Sequence, residues 1–316
     1  MKKTVTLIMA IVLTFTLAAC GKNTNNGGNA STPPATNSAS TEPTTEPTPE
    51  PKKLEGSILA TGSSALQPLV DQASKAFMDA NSGVTIQVQG GGSGTGLTQV
   101  SEGQSDIGNS DVYAEEKLDA DKAGELVDHQ VAVVAMAAVV NPKVNVDTLT
   151  KQQLIDIFTG KVTNWKDLGG DDQKIVIINR PSSSGTRATF EKYALGTKTD
   201  DLQGSIQEDS SGTVRKIIGE TPGAIGYLAL SYLDDSVKTL AYDGVAANEE
   251  NVANGTYPVW AYEHMYTKGE PNEVAKAFLD YMMTDEVQDG AVVELGYIPA
   301  KKMQITRDIE GNITKK

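Results

Sequence analysis

Arg180 stands four residues before Ser184-Gly185-Thr186, and two earlier glycine-punctuated stretches carry Ser63-Ser64 and Ser93. These are hydrogen-bond donors without the partner a nucleophile needs. Hydroxyls and helix-start N–H groups donate, one guanidinium forks two more donors, and Asp111 supplies a single acceptor. The set suits a small tetrahedral oxyanion held out of water. The acceptor discriminates among such anions: a carboxylate repels a fully deprotonated anion and accepts a hydrogen bond from one that keeps a proton. Hydrogen phosphate is expected to be held and sulfate refused.

Catalysis is poorly provided for. Serine nucleophiles need a base, and the two histidines, His129 and His264, fall outside the donor-rich loops. No metal or other cofactor is expected from this donor set. The run Gly90–Gly96 lacks the lysine of a phosphate-gripping nucleotide loop and the spacing of a dinucleotide fingerprint. It suits a loop that brings backbone N–H groups against a ligand, with a hinge or plain turn as its rival.

The elements that must position these residues alternate between strand and helix. A strand over Ser57–Ala60 turns at Thr61–Ser64 into a helix with Pro68 in its first turn and Leu69, Ala73, Ala76 and Phe77 on its apolar face. Val84–Val88 alternates as a strand and runs into the glycines. Asp106–Ser110 reads as a strand delivering Asp111, which could equally cap the helical stretch near Ala114. Val131–Val140 suits a buried strand, and Thr150 with Gln153 makes a capping box for the helix that Gly160 ends. Lys174–Asn179 is a strand stopping at Arg180-Pro181, with a helix predicted over Arg187–Tyr193, so that the serines sit at its start. Arg187 is a weaker candidate, as fit for an ion pair with another lobe as for water. Thr221–Tyr227 reads as a turn into a strand, and Pro271–Met283 and Asp285–Leu295 as helices of the scaffold.

The N-terminus decides the compartment. Lys2 and Lys3 precede an apolar run from Val5 to Ala18 that ends in Leu17-Ala18-Ala19-Cys20. That is a lipoprotein signal over residues 1–19, with the chain's only cysteine placed to take a lipid, and it is too short to span a bilayer. Residues 20–53 then form a tether of Asn, Gly, Ser, Thr, Pro and Glu that cannot offset the entropy of ordering. The formal charge of −14 in 316 residues includes two signal-peptide lysines and no signal-peptide acid, so the chain after cleavage carries −16. Nucleic acid is an unsuitable partner for that balance.

Four site phrases and three scaffold runs now matter together: Thr61-Gly62-Ser63-Ser64-Ala65, Gly92-Ser93-Gly94-Thr95-Gly96, Ile107-Gly108-Asn109-Ser110-Asp111, Arg180 with Ser184-Gly185-Thr186, and the scaffold at Ile157–Leu168, Thr221–Leu228 and Leu295–Pro299. In this order they resemble the phosphate-binding lipoproteins of the ATP-driven high-affinity phosphate uptake system, over Leu54–Met303. The resemblance implies an α/β, two-lobed periplasmic-binding-protein fold of type II with the ligand in the cleft. Lobe I would comprise residues 54–135 plus 240–316 and lobe II residues 136–239. It maps anion contacts onto Ser64, Ala65, Ser93, Asp111, Arg180, Ser184, Gly185 and Thr186. It also implies a monomer without enzymatic activity, lipid-anchored by Cys20 to the outer face of the cytoplasmic membrane, that hands phosphate to a membrane permease. Some relatives carry an acid two residues after the arginine, ion-paired with it; this chain has Ser182 there, leaving Arg180 less neutralised unless another acid replaces the partner. A phosphate-sensing or storage lipoprotein and a surface phosphatase are the readings from other classes.

Overall fold

The computed structural model describes residues 53–199 and 205–316. The predicted signal, Cys20 and all but the last residue of the predicted tether lie outside them. Among the described residues no helix is long and apolar enough to cross a membrane.

The chain opens with β1 (Glu55–Gly62), α1 (Gln67–Ala80), β2 (Gly83–Gln89), α2 (Ser93–Ser101) and β3 (Ile107–Ser110). Next come α3 (Ala120–Gly124), the long β4 (Leu126–Val140), a two-residue β5 (Thr148–Leu149), α4 (Lys151–Phe158), β6 (Val176–Asn179) and α5 (Gly185–Thr189). They are followed by β7 (Ile206–Gln207), α6 (Ser211–Glu220), β8 (Ala224–Ala229), β9 (Lys238–Thr239), β10 (Ala241–Tyr242) and α7 (Glu249–Ala253). The chain closes with β11 (Trp260–Lys268), α8 (Glu273–Met282), α9 (Val292–Glu294), β12 (Ile305–Arg307) and β13 (Ile313–Lys315).

Eight strands are hydrogen-bonded along one path, β2-β1-β3-β11-β4-β8-β6-β7, and a ninth, β9, pairs with β4 off that path. The path is divided by β4. Its first part, Leu126–Ala135, pairs antiparallel with β11, and its second, Met136–Val140, pairs antiparallel with β8. One 15-residue strand thus serves two sheet segments, and every residue from Val131 to Val140 is buried. That burial on both faces is why the run is uninterrupted Val, Ala and Met rather than alternating. On one side β1 runs parallel to β2 and β3; on the other, β6 runs parallel to β7 and β8.

Apolar faces of the helices cover these strands. Leu69, Val70, Ala73 and Phe77 of α1 meet Val274 and Phe278 of α8 in the main core, where the Phe77 and Phe278 rings stand 5.5 Å apart. Leu97 and Val100 of α2 pack with Val112 and Tyr266, and Val214 and Ile218 of α6 with Val139, Ile178 and Leu228. Ala76, assigned to the buried stripe of α1, is exposed, and Val70 and Ser74 take the stripe instead. The glycine run is a loop only as far as Gly92, because Ser93–Gly96 form the first turn of α2. The capping box of α4 forms as expected: Thr150 N–H donates to Gln153 Oε1 at 2.8 Å and Gln153 N–H to Thr150 Oγ1 at 3.2 Å.

Candidate functional site

Site residues leave the carboxyl ends of parallel strands, where α/β sheets open a crevice. Ser63-Ser64 follow β1, the glycine loop and Ser93 follow β2, and Asp111 follows β3. From the other sheet segment, Arg180 follows β6, and Asp209 with Ser211 follow β7. Each of the eight predicted contact residues is buried, with Ser64 the most accessible at 4%.

Asp111 is the junction. Ser63 Oγ donates to its Oδ1, Thr186 Oγ1 donates to its Oδ2 at 2.9 Å, and its own N–H donates to Ser93 Oγ at 3.0 Å. The carboxylate therefore receives a hydroxyl from each side of the cleft, with one lone pair left on each oxygen. Arg180, 1% exposed, spreads its fork over the other wall. Its Nη2 donates to Ser64 Oγ at 3.1 Å and to the Asp209 carbonyl, and its Nη1 donates to Ser211 Oγ at 3.2 Å. Ser64 and Ser211 hydroxyls are 3.0 Å apart. Nε of Arg180 has no hydrogen-bond partner among the described residues.

The guanidinium is held from behind. Phe190 stacks on Tyr227 at 4.4 Å, and the Tyr227 hydroxyl donates to Asn179 Oδ1 at 2.5 Å. That same oxygen accepts the Arg180 N–H at 2.9 Å, while Arg187 Nη1 donates to the Arg180 carbonyl at 2.7 Å. Burial lifts the Tyr227 hydroxyl well above its ordinary range, so it remains a donor. Arg187 thus takes neither expected role: it pairs with Glu191 at 2.8 Å within its own helical stretch and supports Arg180.

Two sequence expectations are revised. Ser184 is the N-cap of α5, accepting the Arg187 N–H at 3.2 Å, and that helix begins at Gly185 rather than Arg187 before widening into π-type turns over Phe190–Leu195. Asp111 caps nothing, since the short helical turn Ala114–Glu116 is preceded by Tyr113, whose N–H donates to Glu116 Oε1. Ala65 N–H donates to Ser63 Oγ at 3.0 Å, making Ser63 the bridge between the first loop and Asp111.

Glycine acts here through close approach. A Cβ on Gly185 would lie 2.1 Å from Ser93 Oγ and 3.0 Å from Asp111 Cβ, so only hydrogen fits where the two loops meet. Gly94 N–H crosses to the Ser183 carbonyl at 2.9 Å, and Lys117 Nζ to the Ser182 carbonyl at 2.8 Å. Burial lowers the Lys117 pKa. Tyr232 and Tyr297 fix the first loop through the Ser64 and Ala65 carbonyls.

Sequence reading missed Asp209 and Ser211. A signal existed: Ser210-Ser211-Gly212-Thr213 repeats the Ser183-Ser184-Gly185-Thr186 pattern, each ahead of a helix. Asp209 also answers the departure at position 182, because its Oδ1 lies 3.9 Å from Arg180 Nη2. The replacement acid comes from the next strand end. Both histidines are engaged elsewhere, His129 with Thr267 and His264 with Asp128 at 2.8 Å.

The PBP superfamily domain matches residues 31–286. The chain belongs to that superfamily. Among members of known role, this PBP-superfamily chain is 53% identical to the phosphate-binding protein PstS of Bacillus subtilis over 314 residues, 98% of this chain and 99% of the relative. PstS of Pseudomonas aeruginosa is 30% identical, covering 78% of this chain and 84% of the relative. A Clostridium perfringens protein described as a phosphate ABC transporter substrate-binding protein, with bound phosphate in its crystal structure, superposes with a TM-score of 0.72 at 34% identity. It covers 78% of this chain and all of its own. An ABC-type phosphate transport receptor of Vibrio cholerae superposes with a TM-score of 0.62 at 27% identity, covering 76% of this chain and 99% of its own. The superfamily membership and these superpositions establish the two-lobed α/β binding-protein fold expected from the sequence.

Proposed function

We propose that this protein captures inorganic phosphate, as hydrogen phosphate, outside the cytoplasmic membrane and delivers it to the permease of an ABC transporter. The observation that carries the reading is the buried junction at Asp111, one carboxylate faced by hydroxyls from both sides of the cleft and walled by Arg180. In this reading Ser64, the Ala65 N–H, Ser93, Arg180, Ser184, Gly185 and Thr186 donate to the anion, Ser211 joins them, and Asp111 accepts the anion's proton. The relatives are named as phosphate-binding proteins and phosphate transport receptors, which supports both the ligand and the transporter.

Residues 54–135 plus 240–316 and residues 136–239 act as the two lobes, closing on phosphate and docking on the permease as a monomer. Energy comes from the transporter's separate ATPase. A lipid on Cys20 and the tether keep the carrier near its permease, raising local concentration without fixing orientation. Calorimetry of the purified protein against phosphate, sulfate and arsenate tests the ligand. Phosphate binding with sulfate rejection is expected, and equal affinity for sulfate would refute the role given to Asp111. Uptake through this protein that persists after deletion of the permease genes would defeat delivery.

A further inference from the structure

Among the described residues, Glu263 is the one carboxylate side chain buried as deeply as the site itself that the phosphate reading does not use. It is 0% exposed on β11, opposite Ala132, at the point where the ladder between β11 and β4 shifts register. Neither of its oxygens has a hydrogen-bond partner within 3.5 Å among the described residues, although its carboxyl is close enough to that of Asp111 for the two to be coupled. It lies behind the anion site: Asp111 is the charge that acts on it, and the Tyr297 hydroxyl, which anchors the Ala65 carbonyl, feels both Glu263 and Asp111. Thr61 Oγ1 and both amide atoms of Asn109, at the ends of β1 and β3, are likewise buried without partners, and Asn109 pairs in register with Met265 of β11. Buried polar side chains without partners therefore stand at the ends of β1 and β3 and within β11.

An ionised carboxylate cannot persist in such a place. Removing it from water without a cation or donors costs far more than holding a proton, and a second negative charge beside Asp111 adds to that cost. Burial first, then the Asp111 charge, raises the Glu263 pKa well above the carboxylate range. The two groups facing it, Asp111 from the end of β3 and Tyr297 from the C-terminal segment, are an acid and a phenol. Burial also holds Tyr297 in its neutral form.

Building on the phosphate reading, we propose that Glu263 is a proton-bearing positioning residue of the anion cleft, a neutral carboxyl lodged behind Asp111 so that the ligand meets one carboxylate charge rather than two. It acts through Asp111 and does not touch the ligand. Its proton spares the ligand a second negative charge behind the cleft floor, and leaves Asp111 as the one acceptor for the proton of hydrogen phosphate.

The test is infrared difference spectroscopy on the full chain, purified in detergent, at about pH 7.5, where an ordinary carboxyl is ionised. Wild type is compared with Glu263→Gln, and with Glu263→Met, which lacks both charge and amide and keeps the volume should the first variant fold poorly. The expected result is a protonated-carboxyl C=O band in wild type that both variants lose. Inorganic phosphate, but not an equal concentration of sulfate, is expected to shift that band. Calorimetry alongside should find the Glu263→Gln affinity for phosphate within about threefold of wild type, since a neutral acid has been exchanged for a neutral amide. Absence of the band, or a band indifferent to phosphate in a protein that binds it, would overturn the role for Glu263 alone. A wild-type protein that shows the band but gives no calorimetric signal with phosphate would overturn the phosphate reading itself, and the site role of Glu263 with it.

Discussion

In the proposed site Asp111 accepts and Arg180 donates, and each stands in a set of partners of the opposite kind. Asp111 receives Ser63 and Thr186 hydroxyls, while Arg180 faces carbonyl and hydroxyl oxygens with Asp209 Oδ1 at 3.9 Å. Replacing Asp111 by Asn preserves shape but can present an N–H where an acceptor was. Phosphate binding is expected to weaken by about 2–5 kcal/mol and the gap to sulfate to narrow. Calorimetry against both anions checks it, and unchanged selectivity would exclude the acceptor role. Glu263 gives a second residue-scale expectation, in stability. Its folded pKa is raised well above 4.5, so the folded state keeps a proton that the unfolded chain releases above that value. The stability it contributes is fully present below 4.5 and is lost as pH rises toward the folded pKa. Melting temperatures of Glu263→Gln relative to wild type should therefore climb steadily from about pH 5 to pH 8. Parallel melting curves over that range would mean that Glu263 titrates normally.

At the scale of elements, short helices start where a side chain replaces the missing partners of the first N–H groups. Thr150 caps α4, Ser184 caps α5, Ser210 caps α6 and Asn272 caps α8. Two of those starts also stand at the cleft, so caps and proposed anion donors share the same Ser-Ser-Gly-Thr phrase. The α4 cap lies away from the cleft and can be tested alone. Thr150→Ala should cost about 1 kcal/mol of stability in denaturant unfolding and leave phosphate affinity unchanged. Loss of affinity in that variant would point to coupling between α4 and the cleft. The strand β4 carries the larger consequence: pairing with β11 over one part and β8 over the other, it gives the two sheet segments a common member that is buried from Val131 to Val140. Loops from both segments consequently meet at Gly185 and Ser93.

The whole molecule is an acidic chain, of formal charge −14, proposed to bind an anion. Short-range donors in a buried cleft can outweigh that field, because exposed charges beyond about 10 Å are screened at moderate salt. Affinity for phosphate should accordingly change by less than about threefold between 0.05 and 0.5 M sodium chloride, and any increase in association rate with salt should be modest. A steep loss of affinity with salt would indicate that long-range attraction, rather than the hydrogen bonds of the cleft, retains the ligand.

Much of this was legible without coordinates because it is local. Capping residues, glycine turns and the apolar run Val131–Val140 act over a few neighbours, so Thr150 with Gln153, the strand ends at Ser64, Asp111 and Arg180, and the donor-rich loops could be read from the order of residues. The predicted lipoprotein signal is likewise read from linear order, and it lies outside the described residues. What only tertiary structure decided is which distant groups meet. Asp209 stands in for the acid missing at position 182 because β7 ends beside β6, a pairing that no spacing encodes. Ser63 reaches Asp111 because the turn after β1 points its hydroxyl inward, where it also accepts the Ala65 N–H. Glu263 is an unremarkable strand acid in the sequence, and becomes a buried group behind the anion site only once β11 is inserted between β3 and β4. Local propensities fix where chains turn and begin helices, whereas desolvation and charge coupling depend on which residues the folded sheet brings together.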